Sequence, residues 1–424
     1  MPSHRVSRSP LVAQRRAHVP ALLALALLTA CDGAESAEGE GGSSTTAEGV
    51  SSTGGETSVA TGAGGGGGAP SVAAALGLND VSVLFPFPSG DDAPGYLRAD
   101  DAGPRGPLLP QTLFDAIPTF PVTPSQGLVY ERMRAVGIRF DGCSGGVGSC
   151  EPEVRLVMQP VVGGKVRDSA LHLFFRFDAT EMAEVVSALR GLRELAPETD
   201  VTGPLQVHPS LVAQGTEGPY GAALRELVLA HAGEDNLTRM TFFLRAPPAN
   251  EVWFFGGFER DGDVVTPMDV VGVGTDPQRV ILTKTNDTYA YDLTPRGLTP
   301  EDGSALLSTA AADAASTDER ADAFASFLRV EDPTVYVPDQ LPCAGCHLSS
   351  YVTAEASRRF GIDAGAFPQR FTSGRDLTMT GGAASNPSSL RAFGWFGDQP
   401  MIAQRTINES AAVADDLDAR YPSD

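Results

Sequence analysis

The 424-residue sequence is short of long apolar runs, of basic charge and of cysteine. Beyond residue 30 no continuous apolar stretch approaches the ~20 residues that a membrane-spanning helix needs, so no later helix is expected to cross a bilayer. Lys and Arg total 31 against 53 Asp and Glu, a formal charge of −22, and the balance turns more acidic once the basic first residues are removed. Such a chain cannot neutralise a run of phosphates, which excludes nucleic acid, and anionic lipid would repel it. Basic partners are favoured instead, through an attraction that salt weakens; plain solubility explains the charge equally well. The stretch Gly272-Val273-Gly274 lacks a third glycine and no helical pattern follows it, which removes a nucleotide-binding motif. What remains is 42 % hydrophobic residues, enough for a sizeable core, in a chain long enough for two compact domains.

The first thirty residues read as an address. Arg5, Arg8, Arg15 and Arg16 precede an apolar run from Ala21 to Ala30, about half a membrane span, as in the core of a signal peptide. The run ends in Leu28-Thr29-Ala30-Cys31. Small residues before a cysteine suit a peptidase that cuts beside a lipid-modified thiol, and the segment resembles the lipobox of bacterial lipoproteins. That resemblance implies a diacylglyceryl group on Cys31, export, and anchoring in the cell envelope, at the periplasmic face or the cell surface. Residues 31–71 are dominated by Gly, Ser, Thr, Ala and Glu, a composition that cannot bury a face and predicts a disordered tether with a reach of roughly 35 Å.

Four cysteines follow Cys31. Cys143 and Cys150 flank a short Gly/Ser-rich loop between two strand-like segments, which predicts a hairpin-closing disulfide in an oxidising compartment. Between residues 72 and 298 the pattern is mostly that of strands with one buried face. Val136, Ile138 and Phe140 are expected to face one way; Val154, Leu156 and Met158 alternate with Arg155 and Val157; Leu171, Leu173, Phe175 and Phe177 alternate with His172, Phe174 and Arg176. Met240, Phe242 and Leu244 repeat the theme. Two helices interrupt them, one capped by Asp178 and Glu181, the other running to His231 with Gly233 as its C-terminal cap. The expected fold class is α+β, with a mostly antiparallel β-rich body followed by a small all-α segment over 299–424. No catalytic constellation emerges from the body: His172, His208 and His231 read as structural histidines.

The C-terminal segment carries the most informative run. A capping box at Ser316 and Glu319 starts a helix with Ala321, Phe324, Ala325 and Leu328 on its apolar stripe, and a proline-rich loop then leads to Cys343-Ala344-Gly345-Cys346-His347. Two thiols spaced by two residues can each add to a vinyl group on one porphyrin edge, and the next residue can place an imidazole nitrogen on iron. This is the c-type haem attachment signature. The segment resembles a small c-type cytochrome domain ending in a helix that starts at Thr406, with Glu409 completing its capping box. The resemblance implies one haem c, thioethers at Cys343 and Cys346, His347 as proximal ligand, and a methionine as second axial ligand, for which Met401 is preferred over Met379. The sequence departs from the family pattern there, because Pro400 precedes Met401 and no proline follows.

Other chemistries remain open for the same residues: a Cys343–Cys346 disulfide beside an idle imidazole, or half of a zinc site that would need further ligands. A single attachment motif argues against a di-haem peroxidase. The expected function is one-electron transfer to a redox partner protein, basic in character, by a carrier rather than an enzyme; the alternatives are a binding lipoprotein with a structural disulfide, or an enzyme with an open haem.

Overall fold

Alternating apolar and polar residues build a ten-stranded sheet at the centre of the computed structural model. The model describes residues 75–118, 128–142, 151–246, 252–284, 290–298, 302–388 and 390–422; the leader with Cys31, the tether, and both Cys143 and Cys150 lie outside them. The strands are β1 (Ser82–Leu84), β2 (Met133–Asp141), β3 (Glu153–Val162), β4 (Lys165–Val166), β5 (Ser169–Arg176), β6 (Leu237–Ala246), β7 (Val252–Asp261), β8 (Val264–Pro267), β9 (Gln278–Lys284) and β10 (Tyr291–Pro295). They lie in the order β1-β2-β3-β5-β6-β7-β9-β10, with β4 on β3 and β8 on β7, and neighbours run antiparallel. The α+β class expected from the sequence is observed in this sheet and the helices around it.

One face of the sheet packs on helices α1 (Ala179–Leu192) and α2 (Pro219–His231). Leu156, Leu171, Leu173, Phe175, Met240 and Phe242 meet Met182, Val185, Leu189, Leu224 and Val228 there. The Asp178 side chain accepts from the Thr180 and Glu181 amides, the expected capping box. Pro219 opens α2, where a missing amide costs nothing. Gly233 lies one residue past the Ala232 cap in extended backbone, not in the left-handed turn expected of it. Val136 does not share a face with Ile138 and Phe140. A bulge between Ala135 and Gly137 inserts one residue into β2, which turns Val136 to the opposite side.

The other face is covered by the C-terminal segment: α3 (Thr317–Glu331), α4 (Cys343–Phe360), the hairpin of β11 (Phe393–Phe396) with β12 (Gln399–Ile402), and α5 (Gln404–Arg420). Phe243, Trp253, Phe255 and Val280 of the sheet share a core with Phe324, Phe327, Leu348 and Val352. Val136, Val157 and Val161 share another with Phe393, Trp395, Ile402 and Ile407. Gly137 makes the second contact possible, because a Cβ there would meet the Phe393 ring at 2.7 Å. At its far end α5 sends Val413, Ala414 and Leu417 into the largest core. The described residues accordingly form one compact unit, and each large apolar side chain so buried contributes about 1.5–3 kcal/mol. The last helix begins at Gln404 after an Ala403 cap, ahead of the expected start at Thr406, and Glu409 lies inside it in buried ion pairs rather than at a cap. Among the described residues no helix is long and apolar enough to cross a membrane.

Candidate functional site

Between its two apolar patches, the face under the C-terminal segment carries a polar strip. Strand register sets Arg139 beside Arg155, Arg155 beside Phe174, His172 beside Thr241, Phe174 beside Arg239, and Arg239 beside Glu259. Over this strip lies a cavity of about 290 Å³, whose other wall is formed by Cys343, Cys346 and His347 of α4 and by Arg405, Thr406 and Glu409 of α5. The segment from Met268 to Val271, which follows β8, closes part of the rim.

The local sequence explains how the three motif residues arrive together. Pro342, in extended backbone, caps α4, and Cys343 is the first helical residue. Cys346 and His347 follow three and four positions on, over the same first turn. Both thiols are free. Burial pushes Cys343 up to about 12 and Cys346 up to about 11, so both are neutral near pH 7. A thiol-exchange nucleophile has the opposite tuning, with its thiolate stabilised.

His347 is held by its surroundings. Its Nδ1 bonds the Leu390 carbonyl; a carbonyl only accepts, so Nδ1 carries the proton and Nε2 keeps its lone pair. The ring lies parallel to Phe243, 3° from coplanar at 5.6 Å between centroids, and 4.8 Å from Phe255. Burial, aided by Arg391 and opposed by the Leu390 bond, lowers its pKa to about 4, so the imidazole is neutral. His172, on the sheet wall, is likewise driven well below the ordinary histidine range by burial and then by the charges of Arg155 and Arg391.

The charged residues of the cavity are unequally matched. Glu409 accepts from Arg139 and, at 2.5 Å, from Arg405. Burial alone would raise its pKa, but Arg139, Arg405 and Arg155 outweigh it and hold the carboxyl down to about 2. Arg155 pairs with Glu153 at 2.9 Å and lies 4.5 Å over the Phe174 ring. Arg139 Nε and Nη2 and Arg155 Nε are buried without a hydrogen-bond partner. Three guanidinium N–H groups of the polar strip are therefore left without a hydrogen-bond partner.

The two methionines singled out by the sequence lie elsewhere. Met401 is fully buried on β12 with Ala383 and Ala403. Met379 packs against the core that includes Val136, Trp395 and Ile407 and lines a different cavity of about 190 Å³. Neither is on the wall that holds Cys343, Cys346 and His347; Met268 and His172 are. Sequence reasoning read His172 as structural and passed over Met268 and the arginine strip. The available signal was polar residues at outward positions of central strands, a face that only a covering layer turns into a wall. Among the described residues no three of His, Cys, Asp or Glu converge to hold a metal ion by themselves. No family model, curated protein or solved structure matches the chain.

Proposed function

We propose that Cys343, Cys346 and His347 carry one covalently attached c-type haem and that the protein passes single electrons to a partner in the cell envelope. The observation that carries this reading is the orientation of His347 within an intact Cys-Xaa-Xaa-Cys-His run: Nδ1 is occupied by the Leu390 carbonyl and Nε2 is left with its lone pair. Metal-binding histidines are oriented by such an outer partner.

The residues present fit the group. Each of Cys343 and Cys346 can add across a vinyl double bond, its sulfur bonding a vinyl carbon while the thiol proton goes to the neighbouring carbon. Phe174 and Phe393 supply apolar wall, and the orphaned donors of Arg139 and Arg155 suit the two propionates. When bound, haem supplies a one-electron couple at its iron, which the protein tunes through axial ligands and burial. Residues 299–424 then serve as a cytochrome-like haem-bearing segment seated on the sheet. Lipid on Cys31 would tether it through residues 31–71, and the acidic chain would favour a basic redox partner.

The test is expression in bacteria competent in cytochrome c maturation. A pyridine haemochrome spectrum that survives acid-acetone extraction, with a mass gain of one haem on the peptide containing Cys343 and Cys346, is the expected result. A colourless protein weighing only its polypeptide and lipid would overturn the proposal.

A further inference from the structure

We infer that His172, from the central strand β5, supplies the second axial nitrogen to the iron of the proposed haem, joining the sheet to the C-terminal helices through one metal. This rests on the covalent-haem reading and deepens it. Besides His347, the neutral nitrogen and sulfur donors on the cavity wall that could reach iron without serving as thioethers are His172 and Met268. Met401 and Met379 are packed outside that cavity.

Three observations favour the imidazole. First, His172 lies on the same sheet face as the ring that holds His347: Phe243 faces Ala170 across β5 and β6, and His172 is the next residue of β5 on that side, facing Thr241. Second, neither ring nitrogen of His172 hydrogen-bonds a described residue, whereas His347 and His208 each have such a partner. His172 is half-buried on the cavity wall, so its unpartnered ring nitrogens are left free to bind iron. Third, β5 is held by pairing on both edges, to β3 and to β6, so His172 sits on a rigid support, while Met268 lies beyond the end of β8, a strand of four residues.

The ferric wild-type holoprotein should then be low-spin with two nitrogen axial ligands by electron paramagnetic resonance, and should lack the near-infrared charge-transfer band of methionine sulfur bound to iron. Of the histidines among the described residues, only His172 and His347 line this cavity, so that spectrum points to His172 even if a variant fails to mature. His172→Ala should keep its covalent haem by pyridine haemochrome, lose the low-spin spectrum, bind carbon monoxide rapidly once reduced, and recover the low-spin form with added imidazole. Met268→Leu should leave the spectrum unchanged. A methionine-sulfur band in the wild type, a wild-type iron open to ligands, or a His172→Ala protein that stays low-spin overturns this inference while covalent haem stands. A wild type without covalent haem overturns the proposed function and this inference together.

Discussion

Arg139 of β2 and Glu409 of α5 form a buried ion pair that links the sheet to the last helix at the wall of the cavity. Arg405, one turn before Glu409, shares the same carboxylate and also donates to the carbonyls of Val330 and Tyr336. One buried anion thus organises two guanidinium groups from different elements.

Removing that anion should be costly. Glu409→Gln leaves Arg139 and Arg405 buried without their countercharge, and breaking one side of a buried pair costs about 3–5 kcal/mol. The midpoint of urea unfolding should fall accordingly. The carboxyl is held down to about 2 from an ordinary 4.5, so its stabilising effect is full above pH 4.5 and is lost as pH falls through 2. The gap between wild type and Glu409→Gln should therefore narrow toward pH 2; a gap that is the same at both ends of that range would contradict the assigned pair.

Glu331 should show the opposite sign. Burial raises its carboxyl to about 7, against the lowering effect of the Ser350 and Thr353 hydroxyls. Below pH 4.5 the group is neutral in both folded and unfolded chains. Between 4.5 and 7 the unfolded chain ionises while the folded one keeps its proton, so stability falls with rising pH, by about 3 kcal/mol in all. Glu331→Gln abolishes this slope. Its melting temperature should gain on wild type from pH 4.5 to 7 and hold that gain above; a parallel pair of curves would show that Glu331 ionises normally.

The C-terminal helix should be inseparable from the sheet. Leu417 is fully buried in the core that β2, β3 and β5 form with α1 and α2. Leu417→Ala should cost about 2–5 kcal/mol, and the fluorescence of buried Trp253 and Trp395 should change together in one transition. Two separate transitions would mean that the helices and the sheet unfold independently.

Much of this architecture is legible in the sequence because it depends on local periodicity. Leu171, Leu173 and Phe175 alternate with His172 and Phe174, and they do face a core; the Asp178 and Ser316 caps start their helices as expected. Two kinds of feature are not written locally. The bulge at Ala135–Gly137 breaks the two-residue period, so Val136 changes face with no change in hydrophobicity. Glu409 has capping-box spacing from Thr406, yet Arg139, 270 positions away, draws it into a buried pair. The site follows the same division. Cys343, Cys346 and His347 form a contiguous motif and are legible; His172, Arg139 and Arg155 are polar residues on central strands, and only the layer folded over them makes them part of a cavity.

The two cysteines give the sharpest chemical discrimination. If each forms a thioether, Cys343→Ala or Cys346→Ala leaves one vinyl group in conjugation with the porphyrin, and the pyridine haemochrome α band should move to longer wavelength. The double substitution should leave any haem extractable into acid-acetone. Alanine is compatible with the first turn of α4, and Cys343 and Cys346 donate no side-chain hydrogen bond to a described residue, so far-UV circular dichroism should change little. If the pair instead forms a structural disulfide, wild type should react with iodoacetamide only after reduction, and each single substitution should expose one reactive thiol. Wild type in which the peptide containing Cys343 and Cys346 resists iodoacetamide both before and after reduction, with the α band shifted in both single variants, is what two thioether bonds require; alkylation of Cys343 and Cys346 themselves after reduction would exclude them, whereas alkylation of Cys143 and Cys150 would not.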